Sequence, residues 1–223
     1  MNRATNIRSR RMAATAAQVT SHARRLTAER GLSGFTVEEV CEQVDISRRT
    51  FFNYFASKDD AVLGVPARGN DDDALKAGFV ASGDPTSGDP TSGDPANTGL
   101  SPTLLDDLAE LAVQRWERSD ITAESIREVL TAFEREPRLF TRIIEKLLRD
   151  EQSDVELVEQ REGLAAGDLR AGAAVQLIRT LARATAREFL TRTNTDTFAE
   201  ILARRLAAAR ALFAPNPDPE RKS

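Results

Sequence analysis

The chain has 223 residues, 30% of them charged and 40% hydrophobic, and a formal net charge of −4. That balance suits a soluble folded protein of one or two domains and argues against a general nucleic-acid coat, which needs positive charge throughout. One cysteine and one histidine exclude an internal disulfide, a cysteine zinc site and any multi-histidine metal site.

Positive charge is nevertheless local. Residues 1–35 hold seven arginines (Arg3, Arg8, Arg10, Arg11, Arg24, Arg25 and Arg30) against one acid, Glu29. This basic start lacks the apolar run of a signal peptide. No uncharged apolar stretch approaches the roughly 20 residues that cross a bilayer, so a cytoplasmic protein is expected. Residues 1–11 read as a basic mobile arm, followed by a helix over about 12–30 that stops at Gly31. "TVEE" at 36–39 is a capping box, in which Thr36 accepts from the first turn and Glu39 reaches back. Val37, Val40, Cys41 and Val44 line one face of the helix that follows, with Cys41 as a small core residue. "DIS" breaks that helix, and Ser47 supplies a fresh N-cap for a short helix through Phe55. "SKDD" at 57–60 repeats the logic with Ser57 and Asp60, giving three brief helices between 36 and about 64.

A short helix near 71–81 precedes "SGDPTSGDPTSGDPANTG", 82–99, which repeats Gly-Asp-Pro-Thr-Ser. Proline and glycine every five residues forbid helix, and nothing apolar is there to bury, so a disordered insertion is expected; a functional tandem motif is the alternative. Helices resume over 102–117, with Ser101 as N-cap and Pro102 in the first position, then over 122–135, 137–162, 168–192 and 196–213, before a tail at 214–223. Strand signals are scarce. The fold class is all-α, with nine or ten helices.

Residues 37–56 have the pattern of a helix-turn-helix. Val37, Val40, Val44, Ile46, Phe51 and Phe55 supply the apolar contacts between two short helices, and Cys41 the small residue where they touch. Asp45 stands at the turn, where a left-handed backbone is usual and aspartate is better tolerated than most. Removing the buried positions leaves Arg48, Arg49, Thr50, Phe52, Asn53 and Tyr54 to face outward. Arginine donates bidentately to guanine, asparagine pairs with adenine, and Phe52 can press on a thymine methyl. Thr36, Tyr54 and Lys58 can reach phosphates, and Ser47 opens the reading helix.

"ERGLSGFTVEEVCEQVDISRRTFFNYFASKDDAV" resembles the DNA-binding domain of TetR/AcrR-family transcriptional regulators over roughly residues 15–63. The resemblance implies an all-helical homodimer: an N-terminal helix-turn-helix domain (12–64) and a larger helical ligand-binding and dimerisation domain (65–213). By position it implies base contacts from Arg48, Arg49, Thr50 and Asn53, and backbone contacts from Thr36, Tyr54 and Lys58. Three residues depart from the family pattern. Asp45 replaces a glycine, Thr27 a large apolar residue, and Phe52 a frequent tyrosine, which removes one phosphate hydrogen bond.

Ala171, Ala174, Val175, Ile178, Leu181, Ala182 and Phe189 form one stripe late in the chain, and Phe198, Ile201, Leu202, Leu206, Ala209 and Phe213 another. The resemblance makes these two helices the dimer interface, through Ile178, Leu181, Phe189, Leu202, Leu206 and Phe213; an ordinary core is the alternative. A twofold partner also suits paired DNA half-sites about one helical turn apart. Trp116, Phe133, Phe140, Ile144 and Leu147, with Arg179, are candidate pocket residues for a small apolar or amphipathic effector, or simple core. Arg179, Arg183 and Arg187 form either a solvated row or an opening for an anionic ligand.

The expected function is a sequence-specific regulator that binds palindromic double-stranded DNA, a repressor released by a small molecule. The alternative is a helical protein-interaction module with weak or absent DNA binding. No nucleophile–base pair, metal-spaced cluster or phosphate loop is present, so neither catalysis nor a cofactor is expected.

Overall fold

Local signals set nearly every helix boundary. The computed structural model describes residues 3–67, 72–83, 99–119 and 121–213, with backbone alone for 3–10 and for Phe213. Most of the expected insertion at 82–99 and all of the 214–223 tail lie outside the described residues. Ten α-helices follow in order: α1 (Arg3–Arg30), α2 (Val37–Val44), α3 (Arg48–Tyr54), α4 (Lys58–Leu63), α5 (Asp72–Ala81), α6 (Leu104–Glu117), α7 (Ala123–Arg135), α8 (Arg138–Glu162), α9 (Leu169–Phe189) and α10 (Phe198–Phe213). No strand occurs among the described residues, and the fold is all-α as expected.

Two starts differ from expectation. α1 begins at Arg3 rather than near residue 12, because residues 3–11 hold no glycine or proline and several arginines that favour helix. α6 begins at Leu104, after Thr103. Ser101 does not cap it. Its N–H donates to Glu162 Oε2 at 2.6 Å and its hydroxyl meets that of Thr103 at 3.0 Å, which makes residues 101–103 a turn.

The helices gather into two compact units that do not follow chain order. The first joins Met1–Ala74 to Ser119–Gln152, so α7 and the first part of α8 pack with the amino-terminal helices. Its core is Val19, Ala23, Leu26, Leu32, Phe35, Val40, Phe51, Phe55 and Val62, closed by Ala132 and Leu139. Thr27 is fully buried in it, its hydroxyl donating to the Ala23 carbonyl at 2.7 Å. A polar side chain is tolerated there because its donor is satisfied one turn back. Gly31, at φ 73°, ends α1, and its N–H reaches the Thr27 carbonyl at 2.8 Å.

The second unit holds Leu75–Arg118 and Ser153–Ser223. Leu104, Leu108, Leu111, Val158, Ala171, Val175, Ile178 and Leu206 interdigitate around Phe79, and Trp116, Phe189, Phe198 and Leu202 form a second cluster. Arg161 is buried in this unit beside Phe79, 4.8 Å from the ring centre, and pairs with Asp107 and Glu162. Two carboxylates and a ring face keep that cation from being stranded in an apolar interior.

Candidate nucleic-acid interface

The first unit builds its outer surface from three capped helices. Thr36 and Glu39 exchange hydrogen bonds at the start of α2, at 3.1 and 2.6 Å. The Thr36 N–H holds the Glu39 carboxyl below the usual range. At the other end of α2, Asp45 is left-handed (φ 54°, ψ 51°) and its N–H closes on the last carbonyls of the helix. Ser47 caps α3, accepting from Thr50 N–H at 3.0 Å. Ser57 caps α4, accepting from Asp60 N–H at 3.1 Å. All three caps fall where the residue pattern puts them.

α3 is two-faced. Phe51 and Phe55 are buried, with ring centres 5.9 Å apart, while Val37, Val44 and Ile46 pack at the edge of the same core. Arg48, Arg49, Phe52 and Asn53 are exposed, and Thr50 and Tyr54 are half-buried. The exposed ring of Phe52 stands edge-on to Phe51 at 5.3 Å. A seven-residue helix is too short to hold itself. Its aromatic side anchors it and frees the polar side for contact.

The two arginines differ. Arg48 pairs with Glu38 at 2.8 Å, and its guanidinium lies 5.7 Å from the Phe52 ring centre. Arg49 has no ion pair among the described residues. Beneath Arg48 is a depression of about 320 Å³ lined by Glu38, Cys41, Glu42, Asp45, Ile46 and Arg48. Burial, and next the Glu38 charge, push the Cys41 thiol up from its ordinary value. Cys41 is a buried member of the core of this unit.

Lys58 differs from expectation. Its ammonium donates to the Leu32 and Phe35 carbonyls, the latter at 2.6 Å, and lies 4.6 Å from the Phe35 ring centre. Both carbonyls belong to the short 3-10 turn Leu32–Gly34 and the residue after it, and the ammonium ties them to the start of α4. As a phosphate contact, Lys58 has one donor left.

Contacts distant in sequence hold this surface to α7 and α8, and no short motif announces them. Arg142 donates to Asp60 Oδ1 through Nε at 3.1 Å and through its terminal nitrogen at 2.8 Å. The hydrogen bond to Asp60 raises the Arg142 pKa. Glu136 accepts from Leu32 N–H at 2.7 Å. Arg24 donates to the Val62 carbonyl at 2.8 Å and the Ser125 carbonyl at 3.2 Å, and burial lowers its pKa.

The six pocket candidates divide between the units. Phe133 and Phe140 meet edge-on at 5.7 Å in the first. There Phe140, Ile144 and Leu147 are exposed along α8 together with Leu148. Trp116 belongs to the second unit, half-buried, stacked on Phe198 at 4.5 Å and edge-on to Phe189 at 5.5 Å. Arg179 also belongs there, pairing at 3.1 Å with buried Asp154, which Arg115 shares at 2.9 Å. Glu188, beside this arginine row on α9, takes Arg204 and Arg205.

The residues named for the dimer interface are largely spent inside the chain. Ile178, Leu202 and Leu206 are buried, Leu181 and Phe189 are packed against the same clusters, and the Phe213 side chain lies outside the description. Other positions of these helices are exposed, among them Leu169, Ala173, Thr180, Arg183 and Arg187 on α9, and Ala199, Ala203, Ala207, Ala211 and Leu212 on α10.

Among the described residues no group of three or more His, Cys, Asp and Glu is arranged to hold a metal ion, and no helix is long and apolar enough to cross a membrane. Residues 19–64 match the family model described as bacterial regulatory proteins, tetR family. A search of curated proteins finds no match.

Proposed function

With residues 19–64 making the chain a TetR-family DNA-binding transcriptional regulator, we propose that it is a homodimeric repressor of a palindromic site, released by a small apolar or amphipathic molecule. The observation that carries the DNA reading is α3. Phe51 and Phe55 are sunk in the core while Arg48, Arg49, Phe52 and Asn53 stand in water. The arginine and asparagine donors on this one short helix, with the Phe52 ring beside them, match base edges in the major groove. Thr36, Ser47, Thr50 and Tyr54 flank them with hydroxyls suited to phosphates, and the single free side of α3 sets the orientation.

The dimer is supported by the row of exposed alanines on α10 (Ala199, Ala203, Ala207 and Ala211), where a second copy can approach closely. Release is supported by two observations. Phe140, Ile144, Leu147 and Leu148 leave an apolar stretch of α8 exposed, a surface that an apolar ligand can cover. The same helix carries Arg142, which grips Asp60 at the start of α4.

The test selects a duplex from a randomised pool with the native protein and measures its affinity against a scrambled duplex over a salt series. A palindromic consensus, bound at least 1,000-fold more tightly than the scrambled duplex (on the order of the usual specific ratio), is the expected result. Enrichment of no sequence would exclude the reading. Mass spectrometry of small molecules carried through native purification, each added back to the complex, identifies the effector by loss of the shift.

A further inference from the structure

Arg48 and Arg49 are adjacent on α3 and both exposed, yet only Arg48 is held. Glu38, in the first turn of α2, takes the terminal nitrogen of Arg48 at 2.8 Å, with both side chains more than half in water (66% and 51% exposed). The Phe52 ring bounds the guanidinium at 5.7 Å. We propose that Glu38 is a specificity-determining positioning residue: it holds Arg48 on the base-reading side of α3 and denies it to phosphates. This inference rests on the DNA-reading function proposed above.

The physical case is one of competition. An exposed arginine beside DNA has two attractors, the phosphate oxygens that line every sequence and the guanine edge that occurs in some. A phosphate contact adds affinity without information. Glu38 is a carboxylate fixed on a neighbouring helix, so it competes with phosphates for the same cation and repels them itself. It does not block the base contact, because a guanidinium has five donors and a bidentate guanine contact uses two. The pair therefore lowers non-specific binding more than specific binding. Its strength suits the task. An exposed ion pair contributes up to about 1 kcal/mol, roughly a fivefold factor, enough to bias a side chain and too little to lock it. Arg49, with no such carboxylate, supplies the unbiased contact next to it.

The experiment measures binding of the full chain to two duplexes over a salt series: the sequence enriched from a randomised pool by the wild type, and its scramble. The variants are Glu38→Gln, Glu38→Asp, Arg48→Ala and the Glu38→Gln/Arg48→Ala double. Glu38→Gln is expected to bind the scrambled duplex about two- to fivefold more tightly and to change the selected duplex by less than about twofold, so that discrimination falls. Its log–log salt slope on the scramble steepens by about one phosphate contact. Glu38→Asp keeps the charge but falls short of the guanidinium, and is expected to behave like Glu38→Gln. In the Arg48→Ala background, Glu38→Gln is expected to have no effect on discrimination. The inference is overturned if Glu38→Gln shifts both duplexes by one factor, if Glu38→Asp behaves as wild type, or if the effect survives without Arg48. Each of those outcomes leaves the DNA-reading function standing. A wild type that enriches no sequence removes that function, and the inference falls with it.

Discussion

Asp45 shows how one residue can depart from a family's habit and still serve its place. A left-handed backbone there favours glycine, and aspartate is among the few others that enter it readily; the structure puts Asp45 at φ 54°. Thr27 is similar, buried where a larger apolar residue is usual, with its hydroxyl satisfied by Ala23. Both exceptions were legible because each involves a residue's own backbone or its own helix. The state of Lys58 was not. Nothing in the local sequence signals that its ammonium would turn to two carbonyls 26 and 23 positions earlier. Two substitutions separate the roles. Arg49→Ala is expected to cost about 1–3 kcal/mol at one base position and little at the others, read by affinities for single-base variants of the selected duplex. Lys58→Ala is expected to lower the unfolding free energy by about 1–3 kcal/mol, because two carbonyls lose a charged donor. Urea denaturation measures this. Unchanged stability, with all duplexes weakened alike, would return Lys58 to the phosphates.

At the scale of elements, the helix-turn-helix was readable because its boundaries are short-range chemistry: Thr36 with Glu39, Ser47 with Thr50, Ser57 with Asp60. The end of α1 was equally plain at Gly31, but its beginning was not, since arginine-rich segments without breakers suit either a helix or an arm. The tie between α4 and α8 could not be read at all: Asp60 and Arg142 are 82 residues apart. Asp60 is nearly buried, whereas Arg142 is about half in water, so solvent screening reduces what the pair contributes. A double-mutant cycle with Asp60→Ala and Arg142→Ala is expected to give a coupling of about 0.5–1 kcal/mol by chemical denaturation; additive effects would make the contact incidental. A second element-level test uses pH. Asp168 caps α9, accepting from Arg170 N–H at 2.8 Å. Chiefly through its side-chain hydrogen bond with Arg170, its pKa is lowered to about 2. A depressed carboxyl stabilises the fold above its unfolded value, near 3.9, and that contribution disappears as pH falls through the folded value. The stability gap between wild type and Asp168→Ala is therefore expected to be constant from neutrality to about pH 4 and to close toward pH 2. A gap that persists unchanged at pH 2 would assign the effect to packing.

On the scale of the whole molecule, apolar stripes on α9 and α10 have two physical readings, a core within one chain or a seam between two, and periodicity cannot choose between them. Ile178, Leu202 and Leu206 are buried by their own chain, so those members of the stripes serve the core, and a seam draws on the remaining positions. On α10 these include a row of small ones: Ala199, Ala203 and Ala207 recur every four residues and are exposed, the spacing that brings side chains to one face. A pair of variants therefore distinguishes the two surfaces. Ala203→Arg adds a charge to the exposed row, where it has room in a lone chain but not against a partner. It is expected to leave the helical content and melting temperature of the monomer unchanged. It should also convert a dimer to monomer in sedimentation velocity and weaken binding to the palindrome more than to a single half-site. Ile178→Ala truncates a side chain inside the chain and is expected to cost about 2–5 kcal/mol of stability, with loss of association only as the fold is lost. If Ala203→Arg sediments as the wild type does, the α10 row is solvent-facing in the working protein, and the twofold partner demanded by paired half-sites must meet some other surface.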